Sequence, residues 1–164
     1  MKIHTIKRRQ FIAKPLQEVF QFFSTPENLS LITPPNLGFE ILTPSPIVMK
    51  EGTLVDYTIL VMGIRQRWTT LISEFVPMHH FVDVQLKGPY SYWHHKHGFV
   101  ETDDGTIIED EIRYVMPFGV FGEMAHTMFV KKQIKGIFDH REKVIEGLFP
   151  TVARVSSSMM RELH

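Results

Sequence analysis

Cysteine is absent from the 164 residues, which excludes disulfides, zinc–thiolate sites and cysteine nucleophiles. An excess of either charge is lacking too: Lys+Arg and Asp+Glu each number 18, for a formal net charge of zero. A protein that grips a polyanion ordinarily carries a basic excess or a basic stripe. The one basic run, Lys7-Arg8-Arg9, stands in strand-like sequence, where a solvated strand surface is the plain reading, so no nucleic-acid partner is expected. No apolar run approaches the roughly 18 residues of a membrane span. Met-Lys-Ile-His-Thr at the start lacks the apolar region of a secretory signal. The expectation is a soluble, cytoplasmic protein with no integral membrane segment. Neither the P-loop nor G-x-G-x-x-G occurs, and Gly-x-Ser-x-Gly is missing. No catalytic motif and no tightly held cofactor are indicated.

What the chain does hold is 13 Phe, 9 Met and 9 His. Phe and Met suit an adaptable apolar interior, while the histidines call for a separate account. The length fits one domain with a real core. Its organising stretch is Gly119–Phe149, where Val130, Ile134, Ile137, Phe138, Ile145 and Leu148 recur at helical spacing. A helix of roughly 25 residues spans about 37 Å. Almost everything upstream reads as short strands. Ile3–Ile12 is one, followed by a helix opened by Pro15 and a second short helix with Thr25 as N-cap and Pro26 in its first turn. Pro34-Pro35 ends that helix. Strands follow over Phe39–Leu42, Thr53–Val61, Ile64–Val76, His80–Lys87, Tyr90–Thr102 and Thr106–Met116, and Asp103-Asp104-Gly105 is the strongest hairpin signal among them. Pro117-Phe118-Gly119 separates the last strand from the long helix. From Pro150 the periodicity is lost, so the domain is 1–149 and 150–164 reads as a tail.

Successive strands joined by tight turns make an antiparallel meander, with the first strand free to pair with the last. One long helix across such a sheet is an α+β architecture. The order of elements resembles the helix-grip fold of the START/Bet v 1-like (SRPBCC) superfamily. More narrowly, Arg67-Trp68, Phe81-Val82-Asp83-Val84-Gln85, Gly88-Pro89-Tyr90, Trp93-His94-His95-Lys96-His97-Gly98-Phe99 and Pro117–Arg141 resemble a subgroup of small bacterial ligand-binding proteins similar to polyketide cyclase/dehydrase-like domains. The resemblance implies a curved sheet of about seven strands wrapped on the C-terminal helix. It also implies a deep, mainly apolar cavity between them for a lipid, polyketide, quinone or similar molecule.

Which polar groups face that cavity follows from the strand period of two. Trp93, His95, His97 and Phe99 share one face, and Asp110 and Tyr114 fall on the apolar-rich face of the next strand, with Ile108 and Ile112. Trp68 shares a face with Thr70 and Ile72. The strand His80–Lys87 is ambiguous, and the resemblance favours Phe81, Asp83 and Gln85 as the functional side. From the helix, Ile134 and Phe138 point to the same space. In the plain reading the histidines are buried polar groups satisfied by neighbours and orienting a ligand. As an alternative, His95 and His97 with Asp110 serve as acid and base in a cyclase- or dehydratase-type enzyme. His-x-His completed by Asp110 or Asp83 also has metal-ligand spacing, but the pair alone is a weak signal and no metal is assigned. Arg141 falls beside the apolar stripe, where a long cation most often runs out to solvent.

Overall fold

Alternating apolar residues, with turns of two to four residues from β3 to β7, build a single antiparallel sheet from β1 (His4–Ile12), β2 (Glu40–Ile41), β3 (Leu54–Val61), β4 (Ile64–Val76), β5 (His80–Lys87), β6 (Tyr92–Thr102) and β7 (Gly105–Val115). The computed structural model describes residues 2–61 and 63–150. The tail expected from Pro150 lies, from residue 151, outside them. The strand order is β1-β7-β6-β5-β4-β3-β2, so the first strand closes on the last, His4 opposite Tyr114 and Ile12 opposite Thr106. As an edge strand β1 is half-solvated. Its basic run is neutralised across the ladder and by the helix: Lys7 pairs with Glu111, Arg8 with Asp139 and Arg9 with Glu109.

Between β1 and β2 the chain forms α1 (Leu16–Phe23), a 3-10 turn over Pro26–Asn28 and α2 (Leu29–Ile32). Pro15 occupies the N-cap of α1. The cap expected of Thr25 is not made: its hydroxyl donates instead to the Gln21 carbonyl at 2.8 Å, which ties it back to α1. The Asp103-Asp104 turn joins β6 to β7, with Thr102 opposite Gly105. Glycine is required there by close approach: a Cβ on Gly105 would lie 2.2 Å from the Ile12 carbonyl oxygen and 2.9 Å from the Ala13 Cα. Gly105→Ala forces backbone from backbone and should cost about 1–3 kcal/mol, as overpacking does. Urea unfolding checks this, and an unchanged midpoint would contradict it.

The C-terminal helix runs from Gly119 to Leu148, as its sequence suggests, with one change of winding along it. α3 (Gly119–Ala125) runs into a π-helical turn, His126–Val130, before α4 (Lys131–Leu148). The wider turn breaks the phase of the apolar stripe. Val130, Ile134, Phe138 and Ile145 are buried, whereas Val120, Phe121, Met124, Met128 and Phe129 ahead of them are exposed, as is Leu148 in the last turn. The stripe lies across the concave side of the sheet. Two apolar clusters close the space between helix and sheet. Val19, Phe20, Phe99, Ile108 and Ile145 belong to one; Ile112, Tyr114, Val130, Ile134 and Phe138 form the other.

Candidate functional site

A cavity of about 200 Å³ lies between the sheet and α4, walled by β3–β7, the α1–α2 segment and the helix stripe. For scale, an engineered apolar cavity of roughly 150 Å³ stays dry and admits benzene. One wall is aromatic. Trp68 stacks on Tyr57 with ring centroids 5.8 Å apart and meets Trp93 edge-on at 5.1 Å, while Tyr90 packs on Trp93 at 4.9 Å. Burial pushes the phenols of Tyr57 and Tyr90 well up, so both remain neutral.

The other wall carries charge. β6 presents His95 and His97 on one face, β5 brings Asp83 opposite His95, and β7 brings Asp110 opposite His97. Strand pairing thus interleaves two imidazoles with two carboxylates. His95 Nε2 donates to Asp110 Oδ1 at 2.8 Å and His97 Nε2 donates to Asp83 Oδ2 at 2.8 Å. The remaining nitrogens close a ring: His97 Nδ1 is 3.1 Å from Asp110 Oδ1, and His95 Nδ1 is 3.5 Å from Asp83 Oδ2. The two imidazoles lie with centroids 3.7 Å apart. Behind them Arg141 reaches Asp110, Nη1 to Oδ1 and Nη2 to Oδ2, both at 3.4 Å. Its guanidinium also sits 4.8 Å over the Phe23 ring.

Burial alone would raise the Asp110 carboxyl, but the Arg141 charge and the two histidine bonds hold it well below the usual carboxylate range. Asp83 is likewise raised by burial and lowered, in balance, by His95 and His97. The imidazoles separate. Burial and the neighbouring His97 charge lower His95. His97 is raised, because bonds to Asp110 and Asp83 outweigh its burial. The longest of the four gaps is the one between His95 Nδ1 and Asp83 Oδ2.

Of the residues singled out by sequence, Trp68, Phe81, Asp83, Trp93, His95, His97, Ile134 and Phe138 line the cavity. Four do not. Asp110 stands one layer back, touching the cavity only through the histidines and Arg141. Phe99 is packed into the apolar cluster with Phe20 and Phe23. Tyr114 is buried under Val130 and Ile134, stacked on His4 at 5.3 Å, with its phenol pushed up to about 12 by burial. Gln85 spans the β5–β6 turn instead, donating to the Tyr90 carbonyl at 2.7 Å and accepting from the Tyr90 N–H at 3.3 Å. Arg141 is buried rather than led out to solvent, because the Asp110 carboxylate and two aromatic faces replace water around it. Thr70 and Arg141 also line the cavity, and Tyr57 and Gln133 do so without having been marked by sequence. Tyr57 shares a strand face with Val55 and Ile59, a period of two that would have found it.

The sequence matches, over residues 12–149, the family described as polyketide cyclase/dehydrase and lipid transport. No curated protein sequence matches the chain. Among solved structures, the Zhui aromatase/cyclase from Streptomyces sp. R1128 is similar with a TM-score of 0.72 at 15% identity, covering 95% of this chain and 99% of that one. A START superfamily protein from Mycobacterium smegmatis gives 0.64 at 15% identity, with 89% and 97% covered. The major latex-like protein 151 from Panax ginseng gives 0.66 at 12% identity, with 90% and 98% covered. At such identities these likenesses establish the helix-grip fold.

Proposed function

Because the chain belongs to the polyketide cyclase/dehydrase and lipid transport family, we propose that it binds a hydrophobic small molecule, a lipid, polyketide, quinone or similar, in the cavity between the sheet and α4. One observation carries this reading: the cavity is lined mainly by aromatic and aliphatic side chains, with its ionisable groups gathered at Asp83, His95, His97 and Arg141. Apolar contact supplies affinity at about 25 cal/mol per Å² buried, and a few convergent polar groups orient what is bound. Trp68, Phe81, Trp93, Ile134 and Phe138 are the contact residues in this reading, and Asp83, His95 and His97 meet the polar end. No helix among the described residues is long and apolar enough to cross a membrane, and a cytoplasmic carrier or enzyme fits that.

Native mass spectrometry of gently purified protein, before and after denaturation, tests the reading. The expected result is a retained organic molecule of a few hundred daltons, released on denaturation. If the bare polypeptide emerges and a panel of lipids, polyketides and quinones also fails to bind, the reading is wrong. A second reading, turnover in the same cavity, is favoured by the two imidazoles each resting on a carboxylate, an arrangement able to give and take a proton. Replacing both His95 and His97 by Gln should leave affinity within a few fold if they only orient. Lost turnover of a cyclisable polyketide with binding intact would establish catalysis.

A further inference from the structure

Four ring nitrogens and two carboxylates meet at the cavity, Asp83 in its wall and Asp110 behind it. His95 Nε2 and His97 Nδ1 both face one oxygen, Asp110 Oδ1, at 2.8 and 3.1 Å. Their opposite nitrogens, His95 Nδ1 and His97 Nε2, both face Asp83 Oδ2, at 3.5 and 2.8 Å. The two sides differ. Asp110 is backed by Arg141 and stands behind the cavity, while Asp83 lines it. A carboxylate that receives the outer N–H of two histidines fixes both tautomers and turns both inner lone pairs the same way, which is how the second shell of a metal centre orients its ligands.

The geometry points to a metal site: His95 Nδ1, His97 Nε2 and an Asp83 oxygen bind one divalent first-row transition ion, with Asp110 as the orienting carboxylate and Arg141 as its counter-charge. The candidate ligand atoms lie within 4.8 Å of one another. Two ligands about 2.1 Å from a common ion sit roughly 2.9 to 3.4 Å apart at octahedral or tetrahedral angles, and the 2.8 and 3.5 Å separations bracket that span. Two imidazoles and a carboxylate suit zinc or iron rather than the all-oxygen shells of magnesium and calcium. Three protein ligands leave at least one position open, and the open side is the cavity. Asp110 and Arg141 cancel, so a dication with Asp83 and two neutral imidazoles carries one net positive charge, which suits an enolate, phenolate or carboxylate oxygen on the bound molecule.

The test uses the whole chain and the ions alone. Co²⁺ and Zn²⁺ are titrated by equilibrium dialysis, with the cobalt visible spectrum and zinc X-ray absorption as structural readouts. One ion per chain is expected, with a first shell of two imidazoles and one carboxylate. Asp83→Asn and His97→Gln should each weaken binding by more than about 100-fold, and Asp110→Asn by about 10- to 100-fold, as an orienting partner does. His79 and His80, which meet at the β4–β5 turn beside Glu74, are the alternative surface ligands. Binding abolished by His79→Gln/His80→Gln, or unchanged in Asp83→Asn, overturns the assignment. So does a wild-type chain that takes up neither ion at millimolar concentration, or an absorption spectrum without two imidazoles. Because the readouts on wild-type protein stand alone, a variant that fails to fold does not rescue the proposal. The outcome is also independent of the organic ligand, since no such molecule enters the experiment.

Discussion

Arg141→Met is expected to destabilise the protein by about 3–5 kcal/mol, the cost of leaving one partner of a buried ion pair uncompensated. Asp110 is buried, and it is held ionised chiefly by the guanidinium 3.4 Å away. Methionine keeps the length and apolar stem of the side chain, so packing against Phe23 and Phe138 is largely retained and the charge is what changes. The histidines that still touch Asp110 place the effect toward the lower end of that range. The decisive comparison is the double variant Asp110→Leu/Arg141→Met. Replacing both members of a buried pair by apolar groups is often neutral or better, so the double variant should recover most of what the single one loses. Urea unfolding of the four members of the cycle measures this. A single variant within about 0.5 kcal/mol of wild type, the spread of ordinary surface changes, would mean that Arg141 contributes packing and not charge.

Filling the cavity should weaken ligand binding by tenfold to a hundredfold while leaving the fold intact. Val55 on β3 and Ile72 on β4 are both buried and both line the space, and neither belongs to the charged wall. Val55→Phe/Ile72→Phe places two rings where a ligand would lie. If they displace on the order of 100 Å² of ligand contact, about 2.5 kcal/mol of burial is lost, equivalent to between tenfold and a hundredfold in affinity. Because the added volume enters empty space, the melting temperature should hold or rise, as it does for cavity-filling substitutions. Displacement of an environment-sensitive fluorescent fatty acid reads the affinity, and a thermal scan reads the fold. Undiminished binding by a well-folded double variant would place the ligand elsewhere.

The sheet was legible because its signals are local. Two-residue turns such as Asp103-Asp104 and the alternation along β6 and β7 are written in neighbouring residues, and they set the register that brings His97 opposite Asp110. The helical end was half-legible. Val130, Ile134, Phe138 and Ile145 announce one face, but nothing in the residue types of His126–Val130 signals that the winding changes there. The site was harder, since its charges are resolved only in three dimensions. Arg141 on an apolar stripe reads as a cation led to water until the carboxylate behind it is seen. On β5 both faces are partly buried, with Phe81 and Val82 equally covered, so hydropathy could not choose between them. Gln85 fits the inward alternation and is nonetheless spent on a turn. Backbone groups to be satisfied at a strand end carry no periodic trace.

The π-helical turn between α3 and α4 marks a boundary with a kinetic consequence. Of the seven residues of α3 only Gly122 is buried, fitted so closely against the Pro117 carbonyl that a Cβ there would lie 1.8 Å from it. Unwinding α3 therefore uncovers little apolar surface, whereas unwinding α4 would expose Ile134, Phe138 and Ile145 together. Segments that cover so little open at a small fraction of the global unfolding free energy. Amide protons of Gly119–Ala125 thus exchange through local openings, and those at the centre of α4 wait for the whole domain, so one end of the grip is renewed many times within the lifetime of the other.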